Sequence, residues 1–264
     1  MLSSKILALC ALATLAVSAQ ADDDYSDSYD SYEDDEGSSY YDDDEYADGD
    51  FSALPAYTYT FDPETAAGVS GSINVQYAGP FSTFVWISAD LDFSGVDQSE
   101  IQAADGNCTE DVSAYKWHIH VKWPHEGDSE SFKQCGLALT GNHYDPLKAC
   151  GPNSEFVGTD DCLLKTPEYN CNPDDYAKDP LVCEKGDLAG KVGDFTLDGD
   201  SKVTGEWYDL NYPLPEENTP EWNIILHAVC GKATPRIACA VGKQTSGDWS
   251  SSDWSSTDDS YYRH

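Results

Sequence analysis

Lys116–Trp123 reads KWHIHVKW, and the fold follows from how it alternates. Trp117, Ile119, Val121 and Trp123 share one parity, while His118, His120 and Lys122 share the other. Period-2 alternation of this kind predicts a strand with its apolar side chains on a core and its imidazoles on the opposite face. Residues two apart on a strand stand roughly 7 Å apart along the chain. The two rings can therefore converge on one ion without bending the backbone. An isolated HxH is more often an exposed polar face, so the remaining histidines decide its meaning.

The chain has six histidines. His143 sits in a turn-forming TGNHYDP segment and His227 in WNIILHAV, in phase with Asn223 and Ile225. Alone, His227 would read as a satisfied core histidine. With His118, His120 and His143 it completes a possible four-nitrogen site. Imidazole suits copper, zinc, iron and nickel, and copper binds most tightly among divalent ions of that row. His125, in WPHEGDSE, reads as a surface residue, and His264 is terminal.

Around this centre the body, residues 53–243, is rich in β-branched and aromatic residues broken by Gly, Pro and Asp. It predicts strands over Val69–Tyr77, Thr83–Phe93, Tyr115–Trp123, Asp194–Leu197, Lys202–Leu210, Trp222–Val229 and Arg236–Val241. No long 3.6-period segment competes with them. The expected class is all-β, an antiparallel sandwich or barrel. Leu147–Cys183 is a long loop poor in hydrophobic residues that contains Cys150, Cys162, Cys171 and Cys183. A loop of that length in a compact domain is usually functional and needs pinning.

The ends differ in kind. Residues 1–21 combine Lys5, the apolar run ILALCALATLAV and a small-x-small exit at Ala19-Gln20-Ala21, the pattern of a secretory signal peptide. Cys10 leaves with it, and eight cysteines in an oxidising compartment read as four disulfides. Residues 22–52 form an acidic Asp/Tyr/Ser-rich segment, in which 15 of the 29 residues of Asp22–Asp50 are Asp or Glu. Residues 244–264 form a Ser/Asp/Trp tail. Both compositions predict disorder. The tails carry much of the net charge of −35, which argues against nucleic acid and anionic membranes as partners. The tails are solubilising segments or, alternatively, bind cations or extracellular matrix. No apolar run is long enough to insert into a membrane.

Six segments, in order, resemble the copper/zinc superoxide dismutases: GVSGSINV (68–75), the HIH of His118 and His120, GNHYDP (141–146), GDLAGKVG (186–193), IILHAV (224–229) and PRIACAVG (235–242). The resemblance spans most of the body and implies a Greek-key β-barrel. It further implies a copper site of His118, His120, His143 and His227, with His143 in the bridging position. Arg236 takes the place of the arginine that guides superoxide, and Cys135 pairs with Cys239 by the same resemblance. Cys108 with Cys230 is a second candidate pair, although eight cysteines allow 105 pairings.

Two departures point to the secreted copper-only branch. No histidine lies between His143 and His227, so the zinc set is reduced to His143 and Asp187; only eight residues separate His227 from Arg236, too few for the family's electrostatic loop. Two ligands do not make the closed tetrahedral site of structural zinc. One copper and no zinc are expected. Glu184 stands three residues before Asp187, where two-metal relatives keep a zinc histidine. It is the first candidate to orient the far nitrogen of His143, with Asp187 next. Lys232 is a weaker candidate for attracting the anion. The expected activity is dismutation of superoxide outside the cell. The alternative is a non-catalytic extracellular copper-binding or structural module on the same barrel.

Overall fold

The computed structural model describes residues 54–217 and 221–246. The apolar start, the acidic segment 22–52 and the stretch beyond residue 246 lie outside the described residues. Among the described residues eight strands form: β1 Ala56–Phe61, β2 Ser70–Tyr77, β3 Val85–Asp92, β4 Ala114–His120, β5 Ser129–Ser131, β6 Lys202–Asp209, β7 Asn223–Val229 and β8 Arg236–Ser246. Every pairing is antiparallel, in the order β4-β7-β8-β1-β2-β3-β6, with β5 on β8. The chain leaves the β1-β2-β3 meander, makes β4 at the far edge, and returns to set β6 beside β3. Such crossings are those of a Greek key.

Alternation explains why these residues pair this way. In β2 and β3 the buried positions are Ile73, Val75, Tyr77, Val85, Ile87, Ala89 and Leu91, alternating with Asn74, Gln76, Trp86, Ser88 and Asp90. In β4 and β7 the inward set is Tyr115, Trp117 and Ile119 with Ile224, Leu226 and Ala228. Both halves of the sheet share one core cluster, so the sheet curls to enclose it. Trp117 is fully buried and stacks on Phe195, with ring centroids 4.4 Å apart.

Several boundaries differ from the sequence expectation. β1 was not expected, although Tyr57, Tyr59 and Phe61 alternate with Thr58 and Thr60; it pairs with both β2 and β8. Asp194–Leu197 is not a strand. Phe195 alone exchanges backbone hydrogen bonds with Tyr115, at 2.8 and 2.9 Å, before the turn around Asp198 ends the contact. β8 continues to Ser246 because Gln244 and Ser246 find partners on β1, three residues into the stretch read as tail. Gln98–Ala104 forms a short helix capped by the Asp97 carboxylate.

Four disulfides form: Cys108–Cys230, Cys135–Cys239, Cys150–Cys162 and Cys171–Cys183. The first two are the pairs proposed from the sequence. The last two each close a short stretch of the long loop. A fully buried ion pair between Lys191 and Asp209 also receives the Tyr176 hydroxyl from that loop, at 2.5 Å on Asp209 Oδ1. The loop is thus braced internally by its two disulfides and tied to the barrel by polar contacts rather than by an apolar core of its own. Among the described residues no helix is long and apolar enough to cross a membrane.

Candidate metal centre

The outward face of β4 is where the barrel meets this loop. His118 and His120 point there, yet both are buried, because residues 141–187 fold across them. The cover is stitched on by backbone hydrogen bonds: Tyr144 N–H donates to Ile119 O, Ile119 N–H to Gly186 O, and Gly186 N–H to Tyr144 O. Three segments of the chain approach so closely that a Cβ on residue 186 would lie 2.7 Å from Ile119 O, so only glycine serves there. Asp145 closes the turn behind His143, accepting from the N–H groups of Ala149 and Cys150 and from the Ser154 hydroxyl.

β7 lies against β4 with Lys116 opposite His227 and His118 opposite Ile225, which sets His227 on the same face. The ring of His118 is 4.1 Å from that of His143 and 4.8 Å from that of His227, while His120 stands 4.9 Å from His143. One nitrogen of each ring is buried and has no hydrogen-bond partner: His118 Nδ1, His120 Nε2, His143 Nε2 and His227 Nε2. The other nitrogen of each ring is engaged. His120 Nδ1 lies 3.0 Å from Gly141 O, His143 Nδ1 2.6 Å from Glu184 Oε2, and His227 Nδ1 3.2 Å from Thr234 O. His118 Nε2 stands 3.4 Å from Asp187 Oδ1. Buried polar atoms are nearly always satisfied. Orphaned imidazole lone pairs on four neighbouring rings are the kind of donor that a metal ion takes, and the outer hydrogen bonds hold the rings in place.

The ligand atoms fall into two overlapping groups: His118, His120 and His227, and His118, His143 and Asp187. The second group is larger than the His143–Asp187 pair read from the sequence, because His118 reaches it too. Its His143 Nδ1 and Asp187 Oδ2 are already taken, by Glu184 and by the Tyr169 hydroxyl.

Burial sets the protonation states. It holds His118 down at about 4, and His120 and His227 well below the ordinary histidine value, with the neighbouring imidazoles adding to the effect. All three rings are then neutral and able to donate lone pairs near neutral pH. Burial alone would raise Asp187, but its contact with His118, helped by His143 and Tyr169, brings it below the usual carboxylate range. Burial raises Glu184, opposed by the His143 hydrogen bond.

Arg236 sits beside His227 on β8 and lines the same cavity of about 560 Å³ as His118, His143, Glu184 and His227. Its Nη1 donates to Cys135 O, Thr140 Oγ1 and Gly141 O. Burial lowers it to about 10, which leaves it charged at neutral pH. Lys232 is exposed and does not line the cavity. His125 is less of a surface residue than expected; its Nε2 is 3.0 Å from Gln134 O.

Asp187 faces His118 rather than His143, which leaves Glu184 as the carboxylate on His143. Sequence reasoning missed Tyr169, whose hydroxyl touches both acidic segments, and the carbonyls of Gly141 and Thr234. Backbone acceptors leave no sequence signal, and Tyr169 lies in a loop without periodicity.

No family model and no curated protein matches the chain. Among solved structures it is similar to two single-residue mutants of superoxide dismutase 5 from Candida albicans. One is 19% identical over 71% of this chain and 88% of that one, and the other 21% over 74% and 94%, each with a TM-score of 0.43. It is also similar to the clock protein EA4, 16% identical over 72% of this chain and 94% of that one, with a TM-score of 0.41.

Proposed function

We propose that this protein is a secreted superoxide dismutase that holds one copper through His118, His120, His143 and His227 and no zinc. The observation that carries the reading is the set of four buried, partnerless imidazole nitrogens, each with its opposite nitrogen held by a carbonyl or carboxylate. The segment-by-segment resemblance of the sequence supports it, as do four disulfides for an extracellular setting. Copper held there would supply one-electron chemistry: one superoxide gives up an electron to become dioxygen, and a second takes that electron with two protons from solvent to become hydrogen peroxide.

The residues around the site divide the remaining work. Arg236 offers a fixed positive charge on the cavity wall and attracts the small anion. Its three hydrogen bonds to Cys135, Thr140 and Gly141 hold the guanidinium in place. Glu184 holds a proton on His143 Nδ1, which keeps Nε2 free as a ligand atom. Asp187 does the same for His118, keeping Nδ1 free. Eight residues between His227 and Arg236 leave no room there for the family's electrostatic loop, and the anion would enter through the cavity that Arg236 lines.

The test is turnover of superoxide by the purified protein before and after copper loading. The proposal expects little activity without copper and strong activity with it, and Arg236→Gln should lower kcat/KM and its salt dependence together. An inactive copper-loaded protein leaves only a copper-binding module.

A further inference from the structure

We infer that Tyr169 is a positioning residue: its hydroxyl joins the two carboxylate segments that orient His118 and His143, and so fixes which nitrogen each ring presents. The inference rests on the reading of those two histidines as metal ligands and extends it to the loop that covers them.

Tyr169 belongs to the disulfide-pinned loop, two residues before Cys171, and its ring lines the cavity beside His118, His143, Glu184 and Asp187. Its hydroxyl donates to Asp187 Oδ2 at 2.8 Å and accepts from the Glu184 N–H at 3.2 Å. One oxygen atom therefore holds the side chain of one acidic residue and the backbone of the other. With Oδ2 bound to Tyr169 and Oδ1 accepting from Gly190 N–H at 2.9 Å, the Asp187 carboxylate cannot swing away from His118. Burial and the two nearby carboxylates raise Tyr169 far above the ordinary tyrosine value, so the hydroxyl remains a donor.

The surroundings leave no slack. A Cβ on residue 151 would collide with Glu184 Oε1 and come within 2.8 Å of the Tyr169 ring. A Cβ on residue 190 would run into Cys171 Sγ and lie 2.5 Å from Asp187 Oδ2. Gly151 and Gly190 pack against the pair, and the Cys171–Cys183 disulfide joins the chain just after Tyr169 to the residue before Glu184. A metal-ligating histidine needs its far nitrogen held so that the ring keeps one tautomer. In this chain the loop supplies that hold through Tyr169.

Tyr176 provides the contrast, because its hydroxyl serves the Lys191–Asp209 pair and not the histidines. The experiment compares Tyr169→Phe and Tyr176→Phe with the unaltered full-length protein, using imidazole nitrogen NMR on the metal-free form and competition titration with copper. The unaltered protein should show His118 protonated on Nε2 and His143 on Nδ1. Tyr169→Phe should give mixed tautomers at His118 and weaken copper binding roughly tenfold, while Tyr176→Phe should lower the unfolding temperature and leave both tautomers intact. Single tautomers and unchanged affinity in Tyr169→Phe would overturn the inference. So would equal disturbance by Tyr176→Phe, which would make Tyr169 merely structural. An unaltered protein with the stated tautomers but no copper affinity would sink the copper reading while leaving the tautomer result to judge Tyr169.

Discussion

Glu184 and His143 meet at 2.6 Å in a place where neither is exposed. A carboxylate buried there is costly unless something needs it. Replacing it should therefore separate function from stability. Glu184→Ala is expected to lower copper affinity or superoxide turnover by about 10–100-fold. Glu184→Gln, which keeps an acceptor, should lose less. The effect on the unfolding temperature of the metal-free protein should be modest by comparison, because the burial that raises Glu184 offsets part of what its His143 hydrogen bond contributes. Full turnover by a copper-loaded Glu184→Ala variant would remove Glu184 from the site. The histidines make a second prediction. Above about pH 6.5 neither the folded nor the unfolded state protonates them. Below it the unfolded chain takes up protons at the ordinary value of 6.5, while burial keeps His118 neutral to about 4 and holds His120 and His227 well below the ordinary value. The unfolded state then binds more protons, so stability must fall as pH falls. The loss is about 1.4 kcal/mol per pH unit for each such histidine. Denaturant unfolding of the metal-free protein at about pH 7 and about pH 5 checks it; equal stabilities would contradict the burial of these rings.

Among the elements, the loop between the His143 turn and the helix Leu188–Val192 matters most, because it carries both carboxylates and Tyr169 to the histidines. The Cys171–Cys183 disulfide closes a stretch of 12 residues within it. A closure of that size stabilises by about 3 kcal/mol in the chain-entropy account. The Cys171→Ser/Cys183→Ser variant should lose about that much and should also bind copper more weakly, since Cys171 Sγ packs beside Gly190 and Asp187. Loss of stability with unchanged copper affinity would show that the loop does not position the ligands. Legibility differed between strand and loop for a physical reason. KWHIHVKW and WNIILHAV announce β4 and β7 by alternation and by apolar runs, and the four histidines could be grouped from those strands and one turn. Glu184 was reachable from its place three residues before Asp187. Tyr169, the Gly141 and Thr234 carbonyls and the partner of Asp187 were not, because loop contacts are set by tertiary packing and leave no periodic trace. β5, only three residues long on the β8 edge, has no pattern to read, whereas YTYTF carries the alternation that β1 requires.

For the whole molecule, the fold uses residues up to Ser246, since the end of β8 pairs with β1. A chain beginning at residue 53 and ending at Ser246 should fold and keep nearly all copper affinity and turnover, because the acidic and Ser/Asp compositions outside these bounds cannot contribute to a core. Failure of that chain to fold would mean the outer segments do more than solubilise. Ending at residue 243 instead should cost stability, as it removes the β8 pairing opposite Ala56 and Tyr57. The central claim is narrower than the fold and concerns what the four orphaned nitrogens hold. It is tested most directly by elemental analysis of the full-length protein after exposure to copper and zinc together, with superoxide turnover measured on the same sample. The account predicts one tightly held copper per chain, no stoichiometric zinc, and turnover that tracks the copper. Equimolar zinc retained beside the copper, or a copper-loaded protein with no turnover, would contradict it.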